Sequence, residues 1–195
     1  MHILPDQSDD STSTGVHAPV RRRFLAAGAA LLASPLLALP KRAVANPASV
    51  RTLSFRHTHT GEVLSLAYAA GSTYLTEARA RVDWFLRDFR NGDVHPIDPQ
   101  LLDQLHAVSA ATGSRASFEV ISGYRSPSSN DSLRRHGSGV ARDSLHTHGQ
   151  AIDIRLTGVA LTDLRRAALG LRAGGVGHYS ASNFIHLDTG RVRAW

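Results

Sequence analysis

Three candidate metal ligands constrain this chain more than any other feature, because they lie in segments that must meet in space. His146 and Asp153 lie in the segment 144–153, and His186 lies in a separate segment further along the chain. Gly149 and the β-branched residues after it predict a loop that enters a strand, with His146 on the loop and Asp153 on the strand. His186 is predicted to lie on a different strand. The three side chains can share one ion only if the fold brings these segments together.

The residue types of this cluster suit a catalytic zinc ion. A zinc ion that takes part in catalysis has three protein ligands and keeps a fourth position for water. The chain has 11 histidines and no cysteine, so a metal must be bound by imidazole and carboxylate groups, and a disulfide, a thiolate site or a cysteine nucleophile is excluded. Asp188 lies two residues after His186, on the same face of the predicted strand. It can orient a metal-bound histidine or accept a proton from the water.

Residues 1–45 are predicted to form a polar tail and a twin-arginine export signal. The sequence RRRFL at 21–25 is followed by an apolar run at 26–40 and by Ala-Val-Ala at 43–45, which fits a cleavage site. The apolar run is shorter than the ~20 residues of a membrane span, and the arginine pair followed by Phe-Leu resembles a twin-arginine signal. The alternatives are an uncleaved membrane anchor and a chance succession of basic and apolar residues.

The export signal predicts where the protein is located. The mature domain would comprise residues 46–195, in the periplasm or another extracytoplasmic location, and would meet the membrane only through its signal.

The charge of the chain argues against nucleic-acid binding. The net charge is +6, and residues 46–195 contain 17 arginines, no lysine and 13 acidic residues. A modest arginine excess gives long-range attraction to anionic polymers. A nucleic-acid-binding surface would instead show a stripe of basic residues interleaved with aromatic ones, which the sequence lacks.

The hydrophobic pattern after residue 46 predicts an α+β domain. Alternating residues at 52–59 and 63–68 flank a turn and predict a β-hairpin. Helical periodicity predicts helices at 74–90, at 98–112, and from a cap at Thr162 to about residue 173. Short strands are predicted at 118–121, at 151–156, near 178 and at 184–187. Since helices precede a run of short strands, we expect a small antiparallel sheet with flanking helices.

The segment 144–153 carries the signature Ser-x-His-x-x-Gly-x-Ala-x-Asp. This signature resembles the first zinc motif of the D-alanyl-D-alanine metallopeptidases, which are related to hedgehog-type zinc domains. The similarity is greatest to the murein endopeptidase K-like branch and extends from about residue 51 to residue 195. It includes SGYRS at 122–126, GGVG at 174–177 and FIHLDTGRVRAW at 184–195. The resemblance implies a hedgehog/DD-peptidase-like zinc domain in a small exported bacterial protein.

The resemblance also implies roles for individual residues. His146, Asp153 and His186 would bind zinc, and Arg125 would face the scissile carbonyl. A fixed guanidinium beside the metal can stabilise the oxyanion that forms when hydroxide attacks an amide. The alternative for Arg125 is a turn residue that makes surface ion pairs.

One position departs from the family pattern and leaves the general base open. Several relatives have a glutamate three residues before the last zinc histidine, where this chain has Asn183. Asp188 is the first candidate for the base, and His178 is the second. Ser144 and His178 are candidate substrate-binding residues, and a loop cap is the alternative role for Ser144.

Three further groups of basic residues are open to more than one interpretation. His57 and His59 share a strand face but have no carboxylate nearby in sequence, so an exposed edge is favoured over a metal pair. His148 falls outside the family pattern and is predicted to line the cleft. The sequence RRH at 134–136, with Arg142, forms either a surface that attracts the carboxylates of stem peptides or a solvated loop.

The leading hypothesis is a zinc-dependent murein peptidase that hydrolyses amide bonds in peptidoglycan stem peptides or cross-links, with endopeptidase activity favoured over carboxypeptidase activity. The alternative is a non-catalytic, zinc-containing module that binds the cell wall, because the family glutamate is missing. A phosphoesterase is disfavoured because such sites often use two metal ions and several carboxylates, whereas only Asp153 and Asp188 lie in this cluster.

Overall fold

The computed structural model describes residues 50–137 and 139–195, which form a sheet of eight strands with four α-helices. The strands are β1 (Val50–His57), β2 (Val63–Ala70), β3 (Thr73–Tyr74), β4 (Phe118–Ser122), β5 (Ala151–Leu156), β6 (Gly175–Tyr179), β7 (Phe184–Asp188) and β8 (Arg193–Ala194). The helices are α1 (Thr76–Phe85), α2 (Pro99–Ala111), α3 (Pro127–His136) and α4 (Leu161–Leu171), and a 3-10 turn covers Leu145–His148. The export signal predicted at 1–45 lies outside the described residues. No helix in the described part of the chain is both long enough and apolar enough to cross a membrane.

The sheet is larger than predicted, and it is mixed rather than antiparallel. Its strand order is β3-β2-β1-β4-β5-β7-β6-β8. The predicted hairpin is confirmed as β1 and β2, and it joins the other strands through a parallel pairing of β1 with β4. A second parallel pairing joins β8 to β6. The α+β class agrees with the prediction, but the small antiparallel sheet was wrong. Parallel pairing requires a long crossover connection, and such a connection leaves no local signal in the sequence.

The hydrophobic core lies between the sheet and helices α2 and α4. The helix predicted at 98–112 is observed as α2, and its apolar side is buried in the core through Leu101, Leu102, Leu105 and Val108. In the central strands, Ile152 and Ile154 of β5 and Ile185 of β7 belong to the same core. Because side chains alternate along a strand, Asp153 and His186 are directed to the other face of the sheet.

Two helix boundaries differ from the prediction. Helix α1 ends at Phe85, earlier than expected, because the chain turns where the Leu86 carbonyl accepts a hydrogen bond from the Tyr124 amide (2.7 Å). Helix α4 has Ala160 rather than Thr162 at its capping position, and no side chain caps it. A tertiary contact therefore sets the end of α1. The Thr162 hydroxyl, which suggested the start of α4, does not cap that helix.

His57 is buried, which corrects the expectation of an exposed strand edge. Its side chain packs against Phe85 and Phe89, with ring centroids 6.0 and 5.3 Å away, and its Nδ1 accepts a hydrogen bond from the His59 amide (3.2 Å). Burial and the neighbouring His59 lower the pKa of His57 to about 4, so the ring is neutral at pH 7. His59 stacks on Phe89 at 4.2 Å. Both rings therefore serve the packing of the hairpin.

Candidate metal centre

Strands β5 and β7 are neighbours, and their pairing brings two candidate ligands together. Asp153 of β5 is paired directly with His186 of β7 in antiparallel register. His146 comes from the 3-10 turn, which Gly149 ends in a left-handed conformation (φ 67°) before the chain enters β5. No other residue fits at this glycine, because a Cβ atom would lie 2.2 Å from the Pro96 carbonyl oxygen. The loop that enters a strand is therefore observed as predicted.

The three ligand atoms form a nearly equilateral triangle of the size that a zinc ion requires. His146 Nε2 lies 3.2 Å from His186 Nδ1 and 3.3 Å from Asp153 Oδ1, and His186 Nδ1 lies 3.0 Å from Asp153 Oδ1. Tetrahedral coordination at about 2.0–2.1 Å places the ligand atoms about 3.3 Å apart. All three side chains are buried. The donor atoms and their spacing therefore fit a zinc ion.

Each of the two histidines is oriented by a hydrogen bond at its other ring nitrogen. His146 Nδ1 lies 2.7 Å from the Gly123 carbonyl oxygen, and His186 Nε2 lies 3.0 Å from Asp188 Oδ2. A carbonyl and a carboxylate only accept hydrogen bonds, so these two nitrogens carry the protons. When the rings are neutral, as they are in metal-bound histidines, the nitrogens without a proton are the two that face Asp153. This arrangement is typical of metal-binding histidines.

Asp188 is fully buried, and donors surround its carboxylate. Oδ1 accepts hydrogen bonds from the amides of Gly175 (3.0 Å) and Gly190 (2.9 Å), and Arg193 donates to both oxygens at 3.0 and 2.7 Å. Burial alone would raise the pKa of Asp188, but the hydrogen bonds from His186, Arg193 and the two amides hold that pKa far below its usual range. Asp188 is therefore an anion that contacts His186 at the nitrogen remote from the other ligands.

The charges of the cluster suit a cation. Burial would raise the pKa of Asp153, but its interactions and hydrogen bonds with His146 and His186 outweigh burial and hold the pKa well below its usual value. Burial would lower the pKa of His186, yet the hydrogen bonds with Asp153 and Asp188 raise it. Asp153 and Asp188 are therefore both ionised, and their charges create a negative potential that favours a divalent cation.

Arg125 lies beside the cluster, in the segment between β4 and α3. Its Nη2 lies 3.9 Å from Asp153 Oδ2, its Nη1 donates to Asn130 Oδ1 (3.3 Å), and its backbone amide donates to the His146 carbonyl (3.1 Å). Burial lowers the pKa of Arg125 from its usual value, but a guanidinium remains charged at neutral pH. The residue is only 9% exposed. This position differs from that of a turn residue that makes surface ion pairs.

Two buried polar residues whose roles were not predicted hold the Arg125 segment in place. Asp88 Oδ2 accepts hydrogen bonds from the amide and the hydroxyl of Ser126 (3.0 and 2.8 Å) at the start of α3. Asn130 contacts the Arg125 guanidinium and donates to two carbonyls of the loop 139–144 (3.2 and 3.3 Å). The residues next to Asp88 and Asn130 in the sequence do not indicate these roles, because the hydrogen bonds are made to other segments of the chain.

Ser144 reaches the cleft, whereas His178 does not. Ser144 is buried beside His146 and lines the cleft; its side chain makes no capping hydrogen bond, although its carbonyl accepts one from the Thr147 hydroxyl (2.7 Å). In the pairing of β6 with β7, Gly177 lies opposite His186 and His178 lies opposite Ile185. Strand alternation therefore places His178 on the face away from the ligands, which corrects the expectation that it reaches the substrate or acts as a base.

The remaining basic residues lie around the site rather than in it. His148 is exposed and lies outside the cleft, which corrects its prediction as cleft lining. Arg134, Arg135 and His136 form the exposed last turn of α3 and are not part of a loop. Arg142 is exposed in the loop 139–144.

The cluster opens into a cleft of about 270 Å³ with two unlike walls. The loop at 139–145 forms one wall, and Tyr179, Phe184 and Trp195 form the other. A larger groove of about 480 Å³ lies elsewhere, beside α2, but the described residues that line it include no carboxylate. The ligand geometry, rather than cavity size, therefore identifies the candidate functional site.

A His–Asp–His cluster at the floor of an open cleft is an arrangement that metal-dependent hydrolases use. Residues 45–195 match the family model Peptidase_M15_2, described as peptidoglycan L,D-endopeptidase MepK. The chain therefore belongs to this peptidase family, and its resemblance to the murein endopeptidase K-like branch is confirmed.

Two relatives illustrate the match. The chain is 42% identical over 175 residues to the peptidoglycan L,D-endopeptidase MepK of Escherichia coli (strain K12), an alignment that covers 90% of this chain and 96% of that protein. It is 40% identical over 176 residues to the probable peptidoglycan L,D-endopeptidase MepK of Haemophilus influenzae, with 90% and 95% coverage. No solved structure was found to match the chain.

Proposed function

We propose that this chain is a zinc-dependent endopeptidase that hydrolyses amide bonds in cross-linked peptidoglycan stem peptides outside the cytoplasm. The observation that carries the proposal is the triangle formed by the ligand atoms of His146, Asp153 and His186, with sides of 3.0 to 3.3 Å. The relatives named peptidoglycan L,D-endopeptidase support this choice of substrate. The predicted export signal at 1–45 supports the periplasmic location.

His146, Asp153 and His186 would hold the ion in this proposal. A zinc ion at this position would lower the pKa of a bound water to about 7 and so make hydroxide available at neutral pH. Arg125 binds the oxygen of the scissile carbonyl and stabilises the negative charge that develops there. Ser144 contacts the substrate from the wall of the cleft. Asn130 and the loop 139–144 keep the guanidinium of Arg125 in position.

We also propose that Asp188 positions His186. The candidate role of Asp188 as general base stays a prediction. Its oxygens already accept hydrogen bonds from His186, Gly175, Gly190 and Arg193, an arrangement that favours orientation of the ring over proton transfer.

Asp188→Asn separates these two roles. If Asp188 orients His186, the affinity for zinc falls about 10–100-fold, and saturating zinc restores hydrolysis. The measurement is the hydrolysis rate as a function of buffered free zinc. Lost activity that excess zinc does not restore, in a protein with unchanged zinc affinity, would instead identify Asp188 as the general base.

The proposed activity is tested by incubating the purified protein with peptidoglycan and identifying the products by mass spectrometry. We expect new uncross-linked peptides, none after treatment with a chelator, and full recovery when zinc is added back. Binding of muropeptides without any new product would support the alternative, a non-catalytic cell-wall-binding module. Undiminished hydrolysis by metal-free protein would contradict the zinc dependence.

A further inference from the structure

Three aromatic side chains form one wall of the cleft, which we name the aromatic wall: Tyr179, Phe184 and Trp195. Tyr179 ends β6, Phe184 begins β7, and Trp195 follows β8. The rings of Tyr179 and Phe184 are stacked, with centroids 4.7 Å apart and planes at 20°. The indole Nε1 of Trp195 donates a hydrogen bond to the Tyr179 hydroxyl (3.0 Å). The three residues therefore act as one surface.

The indole of Trp195 is held in place beside the metal centre. Its backbone amide donates to the Val176 carbonyl (3.2 Å), and its carbonyl accepts from the His178 amide (3.0 Å). The indole lies over Gly177, where a Cβ atom would be 2.8 Å from two of its carbons. The ring of His186 lies 5.3 Å from the indole, centroid to centroid. A surface fixed in this way loses little conformational entropy when it binds a ligand.

The aromatic wall remains accessible although its side chains are large and apolar. Trp195 is 47% exposed and Tyr179 is 36% exposed. Accessible aromatic surface inside a cleft marks a place where an apolar part of a ligand binds. The Trp195 N–H is already bonded to the Tyr179 hydroxyl, and the Arg193 guanidinium lies 4.8 Å from the centroid of the indole, so the wall offers the aromatic surface that these two contacts leave open. The opposite side of the cleft, with Arg125 and Ser144, is polar.

We propose that the aromatic wall is the subsite for the aliphatic side chain of the diamino acid that forms the peptide cross-link. This inference rests on the proposed function. A cross-link between stem peptides uses an amine carried at the end of a hydrocarbon side chain, and that hydrocarbon lies directly beside the amide. The 5.3 Å between Trp195 and His186 places the wall next to the reacting amide, whereas the sugar lies at the far end of the stem peptide.

The first test compares Trp195→Ala with a matched control, Trp84→Ala, on cross-linked muropeptide dimers. Trp84 is 57% exposed on α1, where it lies under the Arg87 guanidinium. We expect Trp195→Ala to raise KM about ten-fold, from the lost burial of methylene groups, with kcat within about two-fold and zinc content unchanged. Trp195→Phe is expected to keep most of the wild-type affinity, and the control Trp84→Ala is expected to keep the wild-type kcat and KM. Unchanged KM in Trp195→Ala would overturn the proposal.

The second test needs no hydrolysis and uses the fluorescence of Trp195. The chain has two tryptophans, so in Trp84→Phe the emission comes from Trp195 alone. We expect an uncross-linked stem peptide that contains the diamino acid to shift this emission, and the sugar disaccharide to leave it unchanged. A response to the disaccharide alone, or none to the peptide, would contradict the subsite.

The two tests separate this inference from the proposed function. If the wild-type protein releases no product from peptidoglycan, the proposed hydrolysis fails, and a peptide-dependent shift in Trp195 emission still supports the subsite. If the wild-type protein hydrolyses cross-links and Trp195→Ala keeps its KM, only the subsite is contradicted. If the Tm of Trp195→Ala shows that this variant folds poorly, the fluorescence titration of Trp84→Phe alone tests the subsite.

Discussion

His146→Ala is expected to reduce kcat/KM for cross-linked muropeptides by at least about a thousand-fold, which corresponds to about 4 kcal/mol of transition-state stabilisation. The side chain contributes one of three ligand atoms, and its Nε2 lies within 3.3 Å of both others. A two-residue site binds zinc far more weakly, because it supplies one ligand atom fewer. Asp188 contacts His186 Nε2 and not the ligand nitrogen, Nδ1. The variant should therefore lose bound zinc and hydrolysis together.

The measurement combines product analysis, zinc content by elemental mass spectrometry and circular dichroism. Loss of the imidazole also leaves the Gly123 carbonyl without its hydrogen bond, which costs about 1–3 kcal/mol, so some loss of thermal stability is expected. His148→Ala is the matched control, because this histidine is exposed and lies outside the cleft. A folded His146→Ala protein that keeps wild-type turnover would refute the assigned ligand set.

Arg125→Met is expected to lower kcat about 10²–10³-fold and to change KM much less, because the guanidinium acts on charge that develops only in the transition state. Methionine replaces the buried stem of the arginine without its charge. The loss should be large because Arg125 is only 9% exposed, and a charge shielded from water interacts more strongly. Arg125→Lys should recover part of the rate, since an ammonium supplies charge without the planar fork.

Steady-state kinetics on the same muropeptide dimers, with zinc content as a second readout, test the role of Arg125. Arg134→Met is the control, because Arg134 is exposed on α3 and its ion pair with Asp131 lies at the surface. Surface ion pairs of this kind contribute little to stability. If Arg125→Met binds zinc normally and keeps kcat within a few-fold of wild type, Arg125 does not stabilise the oxyanion.

The candidate metal cluster could be predicted largely from the sequence because much of its geometry is local. His146 and Asp153 lie on either side of Gly149, and the loop and strand between them form as the sequence pattern indicates. The residues around the cluster could be predicted less well. Asp88 lies where a longer helix was expected, yet its carboxylate binds Ser126 in a distant segment. Nothing near Asp88 in the sequence indicates that partner.

Strand β6 likewise combines a feature that the sequence predicts with one that it does not predict. The pattern of β6 predicts a strand near His178, but the face that His178 occupies depends on its register against β7, which places it opposite Ile185. A shift of one residue would have directed it to the cleft, because strand faces alternate with a period of two residues. Trp195 likewise has no signal of its own, since its place beside His186 follows from the pairing of β8 with β6.

The sequence alone was enough to predict the local features of this protein: the β-hairpin, the apolar side of α2, the loop that enters β5, and a candidate metal centre whose ligands are imidazole and carboxylate groups because cysteine is absent. The folded structure was needed to show that β5 lies beside β7, that Asp188 contacts the second nitrogen of His186, and that an aromatic wall borders the cleft. The physical reason is that turns and strand alternation depend on neighbouring residues, whereas the choice of partner strand and its register depend on how the whole sheet packs against its helices.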